Sequence, residues 1–340
     1  MDLFGFDPPA LDDAEVARVA LERYGIAGTQ QRLRGERSHN TLFTTEDGRQ
    51  LTLKVASASD PWTTIDFHAQ ALRHLERVAP ELPVARMVPS LDGELVPVLD
   101  RGGAQHPVRL VTFLPGVTFD EDAPISDVGL FGIGRLIGSL SAALAEFEHA
   151  ADDWFMPWDI GNGLILDPDL WAGLGADART LLTAARARLE RVPTTMAALP
   201  RQVIHNDAHA GNLLRPGPDT HEVTGVIDFG DLVRTATAAD LGVSGANLAP
   251  QQADPVGALT ALVSGFHTRR HLSDDELAAV PELVSARLAL SMLFTDHQIR
   301  SAPHIADAVA AERPRLIANV ERWLAIDPEC IRDAIASAVR

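Results

Sequence analysis

The sequence predicts an α+β fold with two lobes, a small β-rich lobe followed by a larger helical one. The chain of 340 residues is long enough for about two domains. Short apolar-alternating runs separated by turn motifs fill its first third, and long Ala/Leu-rich runs with helical periodicity follow. The pattern changes at "LPG", so we place the N-terminal lobe at residues 1–110, a hinge at 111–116 and the helical lobe at 117–340.

The N-terminal lobe should contain a helix, a β-hairpin and a second helix, in that order. "DAEVARVALERYG" has helical periodicity and ends at Gly25, a residue type common after helix ends. The apolar-alternating runs 41–45 and 50–56 flank "EDG", which is typical of a hairpin. The amphipathic helix predicted at 66–79 ends before "PELPV", because proline does not continue a helix. Further strands should follow, with turns at "LDG" and "RGG".

The helical lobe should carry two polar loops between its helices. These loops cover 205–212 and 224–231, and "RPGPDTHE" between them is predicted to be the turn of a hairpin. The predicted helices cover residues 126–148, 175–191, 255–271 and 274–300.

The composition argues against nucleic acid as a partner. The formal net charge is −18, from 47 acidic and 29 basic residues, whereas binding of nucleic-acid phosphates requires basic patches. The charge suits a cationic substrate, or simply solubility. The single cysteine, Cys330, excludes an intrachain disulfide. No stretch approaches the ~20 apolar residues of a membrane helix, and the N-terminus lacks the features of a signal peptide. We therefore predict a cytoplasmic protein with no membrane partner, and its oligomeric state stays open.

Three motifs, in a fixed order along the chain, predict phosphoryl transfer. Lys54 lies in the middle of the strand-like run "LTLKVA". In the loop "HNDAHAGN", Asp207 can accept the proton of a hydroxyl that attacks phosphorus, and the side-chain carbonyl of Asn212 can coordinate a metal that bridges phosphates. Asp228 in "VTGVIDFGD" follows an apolar run and precedes Phe-Gly, like the Asp of a DFG element that holds Mg²⁺. Each motif is weak alone, but the ordered set is typical of a Mg²⁺-dependent kinase.

These motifs resemble those of the aminoglycoside phosphotransferase and choline kinase superfamily, which has a two-lobed protein-kinase-like fold. The segments "GERSHN", "LKVA", "FLPG", "HNDAHAGNLL" and "GVIDFGD…ADL" are most similar to the hydroxylysine kinase branch, as is "FHTRRHLSDDEL…PELVSARLALSML". The resemblance extends from about residue 15 to residue 300. It implies a small-molecule kinase that transfers the γ-phosphoryl of ATP or GTP.

The resemblance also implies a role for each matching residue. Asp207 would be the catalytic base, and Asn212 and Asp228 would hold Mg²⁺. Asp240 in "TAADLG" would be a structural acid that ties the catalytic loop in place. The nucleotide would be bound by the side chain of Lys54, by the loop residues Ser38, His39 and Asn40, and by backbone groups of Thr112 and Leu114.

Three positions depart from the pattern of this superfamily. "GERSHN" has one glycine, so side chains and amides would have to cover the phosphates. "HND" replaces the usual "HGD"; Asn206 fits a negative φ and tolerates a positive φ better than most residues. The glutamate that normally pairs with the strand lysine has no obvious counterpart. The candidates on the following helix are Asp66, His68, Gln70 and Glu76.

The acceptor implied by the resemblance is a hydroxylated amine, such as a hydroxylysine-like, aminoglycoside-like or other aminated natural product. The role could therefore lie in metabolism or in antibiotic resistance. Candidate acceptor segments are 119–127, 154–163 and 293–300. The candidate residues are His209, Trp158, Asp159 and Asp296. Each has an equally plausible alternative without contact to an acceptor. His209 could pack within the loop and Trp158 in the core. Asp159 could cap a helix, and Asp296 could point into water.

Other interpretations compete with the small-molecule kinase. A protein kinase is disfavoured because no APE-type element follows Asp228. A catalytically silent nucleotide-binding protein would fit the irregular lysine partner, but it has no need of the intact Asp207, Asn212 and Asp228. A zinc site is disfavoured because "HNDAH" lies in a loop and lacks an evident further ligand. We expect His205 to be buried and structural.

Overall fold

The computed structural model describes residues 9–33, 35, 37–120, 123–303 and 305–340, and the chain divides into two compact units. Unit 1 comprises Met1–Pro115 with Phe147–Trp154, and unit 2 comprises Gly116–Glu146 with Phe155–Arg340. The predicted α+β class is confirmed, since unit 1 carries a sheet and unit 2 is mainly helical.

Unit 1 is built on an antiparallel sheet of six strands in the order β1-β2-β3-β6-β4, with β5 also paired to β6. Its elements are α1 (Asp13–Tyr24), β1 (Thr29–Leu33), β2 (Ser38–Thr44), β3 (Gln50–Ala56), α2 (Trp62–Val78), β4 (Met87–Val88), β5 (Val98–Arg101) and β6 (Ala104–Thr112). The predicted hairpin is β2–β3, in which Ser38 lies opposite Ala56 and Thr44 opposite Gln50. Helix α1 ends where expected, at Gly25, whose φ of 65° favours glycine.

One face of this sheet is buried under α1. Apolar side chains of α1 form one cluster with side chains of the sheet, among them Phe43, Leu53 and Leu110. Because side chains alternate along a strand, Lys54 lies on the opposite face of β3 from Leu53. On that face Lys54 is flanked by its paired neighbours, Asn40 on β2 and Arg109 on β6.

The segment 147–154 lies in unit 1, whereas the sequence analysis placed it in the helical lobe. The ring of Phe147 stacks on Phe67 of α2, with 5.9 Å between centroids. Nε2 of His149 lies 3.3 Å from the carboxylate of Asp66, also on α2. These contacts join residues about 80 positions apart, and local sequence patterns do not reveal contacts at such a separation.

Unit 2 contains two small antiparallel sheets among its helices: β10-β9-β7 and β11-β8. Its elements are β7 (Val117–Thr118), α3 (Asp127–Leu144), α4 (Pro168–Ala172), α5 (Ala176–Ala184), α6 (Arg186–Leu189), α7 (Val192–Ala198), β8 (Arg201–Ile204), β9 (Leu213–Arg215), β10 (Gly225–Val226), β11 (Val233–Ala236), α8 (Ala239–Leu248), α9 (Pro255–His267), α10 (Asp274–Ser301), α11 (Ala306–Leu324) and α12 (Pro328–Ala338). Short 3₁₀ turns cover Leu164–Leu166 and Ala210–Asn212. The hairpin predicted around 215–222 is β9–β10, with Leu214 opposite Gly225.

Helices α3 and α9 cross in close contact because glycines remove side chains from their interface. A Cβ atom on Gly134 of α3 would clash with the carbonyl oxygen of Leu262. A Cβ atom on Gly265 of α9 would clash with the carbonyl oxygen of Phe131. Each clash involves backbone, which cannot rotate away as a side chain can.

Gly134→Ala should lower the free energy of unfolding by about 2–3 kcal/mol, because overpacking a closed helix interface forces the backbones apart. Gly217→Ala is the matched control, since no atom lies within 4 Å of a Cβ atom at that loop position. Urea unfolding followed by circular dichroism would measure both variants. Equal stability of the two would contradict the close packing described here.

Two helices, α3 and α10, are long and apolar enough to cross a membrane by length and composition alone. The sequence analysis expected no such stretch. Half of the α3 window and 89% of the α10 window are buried inside the protein, and core helices of water-soluble proteins pass the same test. The prediction of no membrane partner therefore stays a prediction.

Candidate active site

The loop 205–212, here called the catalytic loop, is anchored in unit 2 by strands on both sides. Strand β8 leads into it through the buried Val203 and Ile204 and pairs with β11. Strand β9 leaves it and pairs with β10, and the Ile227 N–H donates to the carbonyl of Asn212 at 2.9 Å. This last bond joins the catalytic loop to the segment that carries Asp228.

Asp240 fixes the start of the catalytic loop. Its carboxylate accepts the backbone N–H of Asn206 at 2.8 Å and that of His205 at 3.4 Å. The side chain is 1% exposed, and burial raises the pKa of Asp240 to about 7, opposed by these two hydrogen bonds. This contact agrees with the structural role that the resemblance implies for Asp240.

Asn206 explains why "HND" can replace "HGD". Its φ is 63°, in the left-handed region that glycine adopts freely. Asparagine is among the few other residues that tolerate this region. Asn206 can therefore adopt a backbone conformation that a glycine at this position could also adopt.

His205 is fully buried, with its ring edge-on to Phe229 at 4.9 Å between centroids. The Asp207 N–H donates to its Nδ1 at 3.3 Å. Burial lowers the pKa of His205 to about 4, so the ring is neutral near pH 7. Among the described residues no group of three or more His, Cys, Asp or Glu side chains is arranged to hold a metal.

Asp207 and Asn212 are held together by two hydrogen bonds. Nδ2 of Asn212 donates to Oδ2 of Asp207 at 2.7 Å and to its backbone carbonyl at 2.9 Å. These bonds orient the amide, so that Oδ1 is the atom of Asn212 that could hold a cation. The Asp207 side chain is 22% exposed, which leaves its carboxylate within reach of a ligand.

Asp228 follows β10 with a φ of 62°, a strained conformation for a residue other than glycine. Its Oδ1 accepts the Gly230 N–H at 3.2 Å. The structure thus brings Asp228 to the catalytic loop through the Ile227–Asn212 hydrogen bond. Backbone strain of this kind occurs preferentially at functional sites.

Arg287 of α10 is a site residue that the sequence analysis did not identify. Its guanidinium is buried, with Nη2 3.6 Å from Oδ1 of Asp207. It lies over the ring of Trp158, at 4.6 Å from the centroid, and donates through Nη1 to the carbonyl of Trp158 at 2.8 Å. Burial lowers the pKa of Arg287, and the charges of Asp207, Asp231 and Asp159 oppose this effect. Arginine stays charged in proteins, so Asp207 faces a fixed cation.

If Asp207 is the catalytic base that the sequence analysis predicts, Arg287→Met should move the acidic limb of the kcat/KM profile to higher pH and lower kcat about tenfold. The nearby cation favours the charged form of Asp207, and its loss allows the carboxylate to take up a proton at a higher pH. Arg287→Lys keeps the charge, and its profile should stay near that of the unaltered protein. An acidic limb that does not move in Arg287→Met would show that Arg287 has only a structural role.

Two of the predicted acceptor residues bind groups of the protein itself. Oδ1 of Asp159 accepts the Thr235 hydroxyl and the Gly161 N–H, both at 2.9 Å, and burial raises the pKa of Asp159. Asp159 is the N-cap of none of the helices that the structure describes, in contrast to the alternative role considered for it. Asp296 accepts the Gly175 N–H at 2.7 Å and forms an ion pair with Arg313. The ring of Trp158 contacts the guanidinium of Arg287 and, edge-on, the ring of Phe294.

His209 connects Asp207 to a pocket. Its Nδ1 accepts the Gly211 N–H at 3.1 Å, which leaves Nε2 on the side of Asp207, 3.7 Å from Oδ2. Beyond His209 lies a cavity of about 70 Å³, large enough for several water molecules. We call it the His209 pocket. Its described lining residues come from the catalytic loop, α8 and the residues after it, α10 and α11: His209, Ala210, Ala246, Asn247, Gln251, Leu288, Ser291, Arg315, Leu316 and Asn319.

The side chains of the nucleotide-binding residues predicted in unit 1 do not all lie on the same face of the sheet. Asn40 lies beside Lys54 on the same face of the sheet, whereas His39 pairs with Val55, whose side chain belongs to the apolar cluster. His39 is buried, its Nδ1 lies 3.3 Å from the Pro9 carbonyl, and burial lowers the pKa of its ring. Its side chain is therefore less suited to phosphate contact than that of Asn40.

The remaining predicted positions of unit 1 lie at the ends of strands and on α2. Ser38 begins β2, Thr112 ends β6, and Leu114 follows two residues later. Asp66 accepts from Gln70 and contacts His149, and Glu76 forms an ion pair with Arg73. Which of the four candidates on α2 pairs with Lys54 therefore stays open. In the candidate acceptor segment 119–127, residues 121 and 122 lie outside the described residues.

Comparison with known proteins assigns the class. A model of the phosphotransferase enzyme family matches residues 29–276. The chain is 23% identical over 310 residues to a hydroxylysine kinase of Danio rerio, covering 87% of this chain and 86% of that protein. It is 28% identical over 219 residues to a homoserine kinase of Gluconobacter oxydans (strain 621H), covering 58% and 65%.

Solved structures show the same fold. The structure of an amicoumacin kinase in complex with AMP-PNP, Ca²⁺ and Ami matches with a TM-score of 0.69 at 16% identity, covering 94% of this chain and 97% of that one. A microcompartment-associated aminopropanol kinase matches with a TM-score of 0.69 at 20% identity, covering 96% and 99%.

The fold and the family match define a small-molecule kinase, a phosphotransferase whose acceptor is an alcohol group. The chain belongs to the phosphotransferase enzyme family. The predicted superfamily, its protein-kinase-like fold and the similarity to hydroxylysine kinases are thereby confirmed.

Proposed function

We propose that this protein transfers the γ-phosphoryl group of ATP or GTP to a hydroxyl of a small amine-bearing acceptor, with Asp207 as the catalytic base. The arrangement around Asp207 carries the proposal. One carboxylate oxygen accepts from Asn212, the other faces Arg287, and the side chain is still partly exposed beside the His209 pocket. A base that must take a proton from a bound hydroxyl needs this combination of fixed orientation and access.

The transfer itself is a substitution at phosphorus. The acceptor hydroxyl gives its proton to Asp207 as its oxygen forms a bond to the γ-phosphorus. The bond between the γ-phosphorus and the oxygen that bridges it to the β-phosphate breaks, and ADP or GDP leaves with the electron pair. Asp207 acts on the acceptor alone, so its loss should spare nucleotide binding.

Asn212 and Asp228 are the residues that would hold Mg²⁺. Both supply oxygen atoms, which Mg²⁺ prefers, and this ion keeps several water or phosphate ligands instead of a complete protein cage. The pair therefore fits Mg²⁺, although the described residues form no cluster of three metal-binding side chains. When bound there, Mg²⁺ would neutralise charge on the phosphates. The chain's own contribution is to orient the amide oxygen of Asn212 through Asp207 and to hold the segment that carries Asp228 against the backbone of Asn212.

For the nucleotide, the proposal uses Lys54, Ser38 and Asn40 together with backbone groups of Thr112 and Leu114. Lys54 and Asn40 support it by sharing one face of the sheet. The bound AMP-PNP of the amicoumacin kinase structure favours ATP as the donor. The acceptor would occupy the His209 pocket. We leave Asp159 and Asp296 out of the proposed acceptor site, because their carboxylates already bind groups of the protein, and we assign Trp158 to the support of Arg287.

Mass spectrometry after incubation with Mg²⁺, ATP or GTP, and a panel of acceptors tests this function. The panel holds hydroxylysine, homoserine, choline, aminopropanol and several aminoglycosides. One product that gains a phosphoryl group, and that Asp207→Asn forms far more slowly, is the expected result. Nucleotide binding without transfer to any acceptor would favour the silent nucleotide-binding protein instead.

A further inference from the structure

The His209 pocket has a charge pattern that limits which acceptors it can bind. Among the described residues that line it, none is acidic and Arg315 of α11 is the one with a permanent positive charge. Its other polar groups include the amides of Asn247, Gln251 and Asn319. An acceptor that carries several ammonium groups finds no carboxylate here, whereas an acceptor that carries a carboxylate finds a guanidinium.

Arg315 has a partner that a ligand can displace. Its guanidinium contacts Glu312, one turn earlier on α11, at 3.1 Å, and the Glu312 side chain is 67% exposed. An ion pair that is so exposed to solvent is weak, because water screens it. A ligand carboxylate inside the pocket can instead make two parallel hydrogen bonds to the guanidinium, the geometry in which arginine binds carboxylates best.

Gln251 adds an acceptor for a second group of the ligand. Its Nε2 donates to the carbonyl of Asn247 at 2.5 Å, which fixes the direction of the amide. Its Oε1 is buried and has no hydrogen-bond partner in the part of the chain that the structure describes. A buried carbonyl oxygen without a donor is costly, and an entering ammonium group would satisfy it.

We propose, on the basis of the function proposed above, that the acceptor carries a carboxylate as well as an amine and a hydroxyl, and that Arg315 binds this carboxylate. The acceptor is then a small hydroxylated amino acid. Its carboxylate contacts Arg315, its ammonium group contacts Oε1 of Gln251, and its hydroxyl extends past His209 to Asp207. Arg315 sets specificity for the acceptor and takes no part in the chemical step.

Matched acceptors that differ only in the carboxylate test this proposal by binding, independently of turnover. The pairs are homoserine and 3-aminopropan-1-ol, threonine and 1-aminopropan-2-ol, and hydroxylysine and 1,5-diaminopentan-2-ol. Calorimetric titration should show at least one of the three amino acids binding about 10- to 100-fold more tightly than its amine. Arg315→Gln should remove this difference by weakening the binding of the amino acid alone. Glu312→Gln should increase the difference, because the substitution removes the carboxylate that competes with the ligand for Arg315.

Arg322→Gln is the control, a change of the same type on the same helix outside the pocket. Amino acids that bind no better than their amines, or an Arg315→Gln variant that keeps the difference, would overturn the proposal. Tight, Arg315-dependent binding without phosphoryl transfer would leave the carboxylate site standing and refute the proposed kinase function. Transfer to the amines as readily as to the amino acids would refute the carboxylate site and support the proposed kinase function.

Discussion

Asp207→Asn should lower kcat by about 10³-fold, within the range that a positioned general base contributes. The substitution keeps the size of the side chain and one carbonyl oxygen that can still accept from Asn212, so the catalytic loop should keep its conformation. The amide cannot take up the hydroxyl proton. Affinity for the nucleotide should change little, because the proposed contacts to it come from other residues.

Rapid-quench kinetics with the acceptor identified by the panel would give kcat, and calorimetric titration would give the nucleotide affinity. Asp219→Asn is a suitable control, since it makes the same chemical change at an exposed position of the turn between β9 and β10. A kcat of Asp207→Asn within tenfold of that of the control would remove Asp207 from the role of base.

Asp228→Asn should lower kcat by about 10²-fold or more at a fixed Mg²⁺ concentration and raise the Mg²⁺ concentration needed for half-maximal activity. The change removes the negative charge from the proposed metal ligand. Asparagine tolerates the positive φ of 62° at this position, so the loss would not arise from a misfolded loop.

A titration of activity with Mg²⁺ separates this effect from a general loss of function. Saturating Mg²⁺ should recover part of the activity of Asp228→Asn, whereas it should recover none of the activity of Asp207→Asn. An unchanged Mg²⁺ requirement in Asp228→Asn would contradict the assignment of this residue as a metal ligand.

The core of the candidate site follows from the sequence because its residues are close along the chain. Asp207 and Asn212 lie five positions apart in one loop, and the structure joins them by hydrogen bonds. Asp228 comes two residues after the end of β10, and the pairing of β10 with β9 brings it back to the same loop. Short separations and a hairpin make such an arrangement readable from spacing alone.

Arg287 could not be identified in this way. It lies 80 positions after Asp207, inside the apolar helix sequence "VSARLALSML". An arginine within an apolar helix is the only local signal, and it indicates that a buried partner exists without saying which one. The same limit explains Asp159 and Asp296, whose partners Thr235 and Gly175 lie 76 and 121 positions away along the chain.

The positions of the helices and strands were largely predictable from the sequence, but the way in which they pack together was less predictable. Periodicity located α1, α9, α10 and the β2–β3 hairpin to within a few residues. The predicted helix 175–191 is divided into α5 and α6, and the predicted helix 126–148 ends at Leu144. The residues after it pack against α2 instead, through ring contacts that Phe147 and His149 make with Phe67. Contacts of this kind depend on tertiary packing, which periodicity does not describe.

The most direct test of the central claim is a single-turnover measurement of phosphoryl transfer, followed by ³¹P and ¹H NMR spectra of the product. The account predicts a phosphate ester on the hydroxyl oxygen of the acceptor, formed by the unaltered protein and by Asp219→Asn, and about 10³-fold more slowly by Asp207→Asn. A phosphoryl group on the amine, or an ester formed at the same rate by Asp207→Asn, would contradict it.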